Sequence, residues 1–270
     1  MSDSIPAGET AMADGDYGPI EGAVDDRVVF ARYRQQRTWS PELVSLLARW
    51  LSAGGTLLDV GAHIGLISIG VARACPAHCL AFEPAPENHR LLCRNVARQG
   101  LEQRIEPLPY ALDAESGQSE LALSGDNSGD HRLLHHARAA SGRSVLVASA
   151  RLDDVLANRT LASPVAMKLD TQGAEARVLA GAAASLARVE HLVLEYWPAG
   201  LHRMGDRAHS LSAVLCDHFT WAGLLRPGHA LSPQPAPALF SALSRFVPDD
   251  GSDQGFFDLV LSRSRSGLES

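Results

Sequence analysis

Asp59, Gly61 and Gly65 stand at Asp-x-Gly-x-x-x-Gly spacing inside LLDVGAHIGLISIG, residues 57–70. Leu57, Leu58 and Val60 read as a short buried strand, the glycines as a tight turn, and Leu66, Ile67 and Ile69 as the opening of a helix. The first amides of such a helix have no partner within it, so the turn presents donors to a ligand. This spacing departs from the Gly-x-Gly-x-x-Gly of dinucleotide sites, which points to a smaller adenosyl ligand without a pyrophosphate. A second apolar run, 79–82, closes on Glu83. That carboxylate falls about 20 residues beyond the turn, where a strand-end acid accepts hydrogen bonds from vicinal ribose hydroxyls. Asp170 and Glu195 close two further apolar runs, 165–169 and 192–194. Both then lie on the edge that carries Glu83, where a carboxylate can accept a proton or simply cap a neighbouring helix.

The elements that must position these residues follow from periodicity. Residues 1–22, rich in Ala, Gly, Asp, Ser and Pro, read as frayed or loosely attached, and 24–33 as a small hairpin or cover strand. Ser40 and Pro41 look like a cap and first helical position for a helix that buries Leu43, Leu46, Leu47, Trp50 and Leu51 and stops at Gly54 and Gly55. Trp39 and Trp50 read as structural cover, with the alternative that Trp39 roofs the ligand. Helices follow at 65–74 and 87–99, with Asn88 and His89 as surface or capping residues. A third strand at 105–112 carries Pro107 and Pro109, which suit an edge or irregular course, and Glu106 and Ala111 bracket positions for an adenine pocket. Strands at 121–123 and 144–148 flank a polar insertion with Asn127, Ser128, Gly129 and Asp130, then His131, His135 and His136. Three histidines suggest a metal, but no residues to orient them are visible, and the segment reads as a mobile surface insertion near the pocket mouth. A short helix begins at 151–154, an alanine-rich one spans 173–186 with Glu175 at its start, another lies at 210–219, and 256–261 forms a last strand.

This alternation of strands and helices is α/β, in one domain over 23–262 with flexible ends at 1–22 and 263–270. Of 270 residues 46% are hydrophobic, enough for a sizeable core, and the net charge of −7 supplies no field for nucleic acid. Cys75, Cys79, Cys93 and Cys216 read as packed thiols. With no secretory leader and no apolar run long enough for a membrane, a cytoplasmic protein is expected.

The blocks LLDVGAHIG (57–65), AFEP (81–84), NSGDH (127–131), RLDDVL (151–156), KLDTQGAEARVLAGA (168–182) and LVLEYWP (192–198) stand in an order that resembles the FkbM-type methyltransferases. The resemblance implies a Rossmann-like, seven-stranded class I methyltransferase fold with an N-terminal extension and a polar insertion. It further implies bound S-adenosylmethionine and a hydroxyl acceptor on a small molecule or sugar, often in natural-product pathways; from the charge balance and the lack of a membrane-length apolar run, no nucleic-acid or membrane partner is expected. Asp59, Gly61, His63, Gly65, Glu83 and Asp170 are then the cofactor-binding candidates, with His63 where the family commonly has Asn. Asp170 is the first candidate for the base and Glu195 the second. Gln172, where the family commonly has Glu, and Tyr196, Trp197, His202 and Arg203 are candidate acceptor contacts. No metal site is assigned: Asp170 and Glu195 could hold a divalent ion, but two carboxylates do not complete a site. N-methylation, a noncatalytic adenosyl-binding role and a homo-oligomer stay open.

Overall fold

The structure is a computed structural model that describes residues 8–134, 143–246 and 255–269. It opens with a hairpin, β1 (Thr10–Gly15) and β2 (Gly18–Ala23), paired antiparallel. The described part of the segment expected to fray is therefore ordered: Ile20 is buried, and the Tyr17 hydroxyl donates to the Trp39 carbonyl at 2.6 Å. The expected strand at 24–33 is instead a helix, α1 (Val29–Gln36), because both oxygens of Asp26 accept the otherwise unpaired amides of Val28, Val29 and Phe30. Next come α2 (Pro41–Trp50), β3 (Thr56–Val60), α3 (Leu66–Ala74), β4 (His78–Phe82), α4 (Pro86–Arg98) and β5 (Ile105–Leu108). Pro41 opens α2 as expected. Ser40 does not cap it, for its left-handed backbone leaves the hydroxyl without a bond to the helix.

A small second sheet follows, built from β6 (Ala111–Leu112), β7 (Gly117–Leu123), β8 (Arg132–Leu134) and β9 (Arg143–Ala150) in the order β6-β9-β7-β8. The chain returns through α5 (Leu152–Leu156), β10 (Val165–Leu169), α6 (Glu175–Ala180), β11 (His191–Tyr196), α7 (Pro198–Arg203), α8 (Ala208–His218), β12 (Trp221–Leu225), β13 (Gln234–Pro235), α9 (Ala236–Phe246) and β14 (Phe257–Ser262). The helix expected over 173–186 ends at Ala180, and a separate single turn covers Ser185–Arg188.

The main sheet runs β13-β12-β14-β11-β10-β3-β4-β5. Strands β5, β4, β3, β10 and β11 are mutually parallel, and β14 is inserted antiparallel between β11 and β12. This mixed order is Rossmann-like, and the count is corrected from seven to eight because two-residue β13 pairs with the start of β12. Pro107 sits in β5 at the open edge, where its missing amide costs no ladder bond. Side chains alternate: Leu57, Ala166 and Val193 join the core with the hairpin, α2 and α3, whereas Leu58, Met167 and Leu194 join that with α6, α8 and α9. Helices thus cover both faces, and the carboxyl ends of the parallel strands form one crest. The tail expected to be disordered also packs: Leu268 is buried, and the Trp50 indole donates to the Gly267 carbonyl at 2.6 Å. Among the described residues, no helix is long and apolar enough to cross a membrane.

Candidate active site

A cavity of about 800 Å³ opens above that crest, at the upper end of the range for small-molecule sites. Gly61, His63, Glu83, Asp170, Gln172 and Glu195 all line it. The turn after β3 is fixed by the amides of Gly61 and Ala62, which both donate to the Phe82 carbonyl at 3.0 and 2.9 Å. Gly61 has φ +79, and a Cβ there would collide with the Asp170 carbonyl oxygen; only glycine allows the two strand ends this approach. Asp59 lies beneath, fully buried, accepting from Ser68 Oγ at 2.6 Å and facing Lys168 Nζ at 3.6 Å. It supports the turn from below and does not line the cavity.

Glu83 accepts the His63 amide at 2.8 Å on one oxygen and the Ala85 amide at 2.9 Å on the other. A carboxylate has about four acceptor sites; two are taken by these amides and the Asn88 side chain also hydrogen-bonds Glu83, so part of its acceptor capacity is left for a further donor. Burial pushes its pKa up to about 7, against the opposing pull of those amides. His63 has left-handed φ +53, and its Nε2 lies 2.7 Å from Ser128 Oγ, which itself donates to Asp26 at 2.6 Å. With that hydroxyl proton directed at a carboxylate, Nε2 must carry the hydrogen. Burial holds the imidazole neutral, its pKa pushed down to about 4.

At the opposite side, Gln172 Nε2 donates to Asp170 Oδ1 at 2.7 Å and to Glu195 Oε2 at 3.0 Å. Burial, then the neighbouring Asp170, push the Glu195 carboxyl up to about 9, so it holds its proton at neutral pH. Lys168 points up between Asp59 and Asp170, 3.6 Å from each, and donates to the Gly61 carbonyl at 2.7 Å. Burial opposes its charge, yet Asp170, Asp59, Glu195 and Glu83 together outweigh that penalty and hold its pKa above the usual value. Asp258, opposite Glu195 in the β11–β14 register, also faces the cavity, and burial raises it to about 6.

Sequence reasoning missed Lys168 and Asp258. A lysine inside the otherwise apolar VAMKL run, two residues before Asp170, was the available signal for the first. The register of β14, which alone brings Asp258 to Glu195, was not readable. Asn88, expected at the surface, is buried and donates to the Ser128 carbonyl at 2.9 Å. The loop expected to be mobile is likewise tied down at Ser128 and lines the cavity, while His135 and His136 lie outside the described residues. Trp39 and Ala111 do line the cavity, but Glu106 is turned outward to Arg159 at 2.6 Å.

Tyr196, Trp197, His202 and Arg203 do not line the cavity. The Tyr196 ring packs 6.0 Å from that of Phe240, and the Arg132 and Arg203 guanidiniums lie over the Trp197 ring at 5.0 and 4.7 Å. The expectation of acceptor contacts from these four is replaced by packing for the two aromatics, because the chain turns into α7 directly after β11 and buries both rings.

The Methyltransferase FkbM domain matches residues 59–202, more than half of the chain. The chain belongs to the FkbM methyltransferase family. This FkbM domain spans the crest from Asp59 to the end of β11 and into α7, and so contains every acidic strand end described above except Asp258. The AMB antimetabolite synthetase AmbE of Pseudomonas aeruginosa is 29% identical, over 78% of this chain and 13% of that protein. The methyltransferase sdnD of Sordaria araneosa is 29% identical over 54% of this chain and 68% of its own length. The 31-O-demethyl-FK506 methyltransferase FkbM of Streptomyces tacrolimicus is 27% identical over 54% and 66%. The chain therefore spans a small part of the first relative and about two thirds of the other two.

S-adenosylmethionine, the methyl donor of such enzymes, fits the residues present. Glu83 retains acceptor sites for ribose hydroxyls, the Gly61–Gly65 turn admits close approach, and the cavity has room beside them.

Proposed function

We propose that this methyltransferase acts on a hydroxyl group of a small molecule, a natural-product intermediate or a sugar. The observation that carries this reading is the Asp170–Gln172–Glu195 arrangement in the same cavity as Glu83. Bound S-adenosylmethionine would supply a methyl group already activated on a sulfonium centre. What the protein adds is alignment, exclusion of water and a place for the acceptor's proton. Glu83 would orient the ribose. Asp170, whose side chain is 39% exposed toward the cavity and faces Lys168, would accept the hydroxyl proton. Glu195, already protonated, cannot serve as a base near neutral pH but can donate a hydrogen bond to the acceptor oxygen. The Streptomyces relative, a 31-O-demethyl-FK506 methyltransferase by name, supports the choice of oxygen.

Asp258 favours a second reading, an amine acceptor, since a third carboxylate on the same wall would suit a cation. Paired alcohol and amine acceptors, followed for gain of one methyl group and release of S-adenosylhomocysteine, separate the two. Asp170→Asn is expected to keep donor affinity and lower transfer by roughly a hundredfold or more, the scale of a lost general base. Transfer near the unmodified rate would remove Asp170 from that role.

A further inference from the structure

We propose that Gln172 is a positioning residue: its side-chain amide straps Asp170 to Glu195, so that the two carboxyl groups share one negative charge at the acceptor end of the cavity. The inference rests on the reading above, in which Asp170 receives the acceptor's proton.

Three observations carry it. The amide nitrogen of Gln172 has two hydrogens and spends them on two different carboxyl groups, at 2.7 and 3.0 Å. The residue adopts φ +58, a left-handed conformation that costs a glutamine free energy and is held only where its surroundings enforce it. Gly173, at φ +109, follows in a turn whose amides at Thr171 and Gly173 both donate to buried Glu175. The loop is thus braced from below, and its one long polar side chain is aimed across the gap between strands β10 and β11.

The charges around the strap define what it does. Glu195 faces Asp170 at the end of β10, Glu175 on α6 and Asp258 on β14, with Lys168 on β10 as the sole cation acting on it among these. Two ionised carboxylates this close repel, and one of them keeps a proton. Lys168 Nζ lies 3.6 Å from Asp170 Oδ2, so the cation of this cluster stands on the Asp170 side of the strap. An amide can hold such a pair because it donates to both and never ionises. A glutamate in its place would donate to neither once deprotonated and would add a third negative charge.

The test follows the Glu195 carboxyl carbon by ¹³C NMR as a function of pH, with and without S-adenosylhomocysteine, in the unmodified protein and in Gln172→Met, Gln172→Glu and Asp170→Asn. The Met variant keeps the length of the side chain and removes the donor. It is expected to raise the Glu195 titration midpoint by about one pH unit, the worth of one hydrogen bond to a charged group. Gln172→Glu should raise it further, and Asp170→Asn should lower it by removing the like charge. The Glu106 carboxyl, paired with Arg159 away from the cavity, serves as the internal control for folding. A Met variant whose Glu195 curve superposes on that of the unmodified protein overturns the strap, as does a Glu variant that shifts no further than Met. An Asp170→Asn variant that leaves Glu195 unmoved overturns the shared charge. Failure of S-adenosylhomocysteine to bind the unmodified protein counts instead against the donor reading, and the titrations still judge the strap.

Discussion

At the scale of single residues, Glu83 combines two tasks that a sequence motif does not separate. Its oxygens hold the turn through the His63 and Ala85 amides, and the remaining acceptor sites face the cavity. Glu83→Gln replaces one acceptor oxygen by a donor. It should therefore weaken S-adenosylhomocysteine binding by roughly ten- to a hundredfold, the value of a hydrogen bond to a charged acceptor. Calorimetry that returns an unchanged affinity would move the ribose elsewhere. The placement of Gly61 and Glu83 on the cavity wall was legible because turn geometry and strand-end position are written in adjacent letters. Trp197 was not: it follows Glu195 by two residues but packs under two arginines, one of them delivered by the distant strand β8.

At the scale of elements, Ser128 joins three parts that are far apart in the chain. Its hydroxyl bridges His63 in the turn after β3 and Asp26 just before α1, and its carbonyl receives Asn88 from α4. Ser128→Ala would leave the His63 Nε2 hydrogen buried without a partner. The expected cost is roughly 1–3 kcal/mol, read as a Tm lower by several degrees in thermal denaturation. A Tm equal to that of the unmodified protein would show that the bridge holds nothing together. The apolar cores of β3, β4, β10, β11 and β14 could be read from their runs of Leu, Val and Ile. The hairpin at the N-terminus could not, since Gly, Pro and Ala dominate it and its stability comes from contacts such as Glu21 with Arg94 and Arg98 of α4, at 2.9 and 3.1 Å. The cap on α1 was equally hidden, because Asp26 stands three residues before it in what looks like a charged loop.

At the scale of the whole molecule, the buried ionisable groups set a pH response. Glu195 keeps its proton to about pH 9 and Glu83 to about 7, whereas both would release it near 4.5 if exposed. Over that span the native state binds more protons than the unfolded chain, so raising the pH removes stability. His63 and His191, both pushed down to about 4 chiefly by burial, act in the opposite direction. They gain protons on unfolding as the pH falls below about 6.5, so acidification through that window is also destabilising. Above pH 7 the histidines no longer contribute while the Glu195 effect persists, joined toward pH 9 by the buried Cys79 thiol, whose raised pKa acts in the same direction, so Tm should fall between pH 7 and 9. Glu195→Gln should flatten that decline; an equally steep fall in the variant would locate its source elsewhere. Strand β14 adds a constraint of a different kind. It is translated after every other strand of the main sheet, yet it lies between β11 and β12, in the middle of that sheet. Chains grow on the ribosome at about 5–20 residues per second, so for several seconds β11 and β12 exist with bare facing edges and no Asp258 opposite Glu195. The nascent protein must wait for β14 before the acidic wall can close, so synthesis through residue 262, and not through the FkbM-matched segment alone, sets when the cavity is complete.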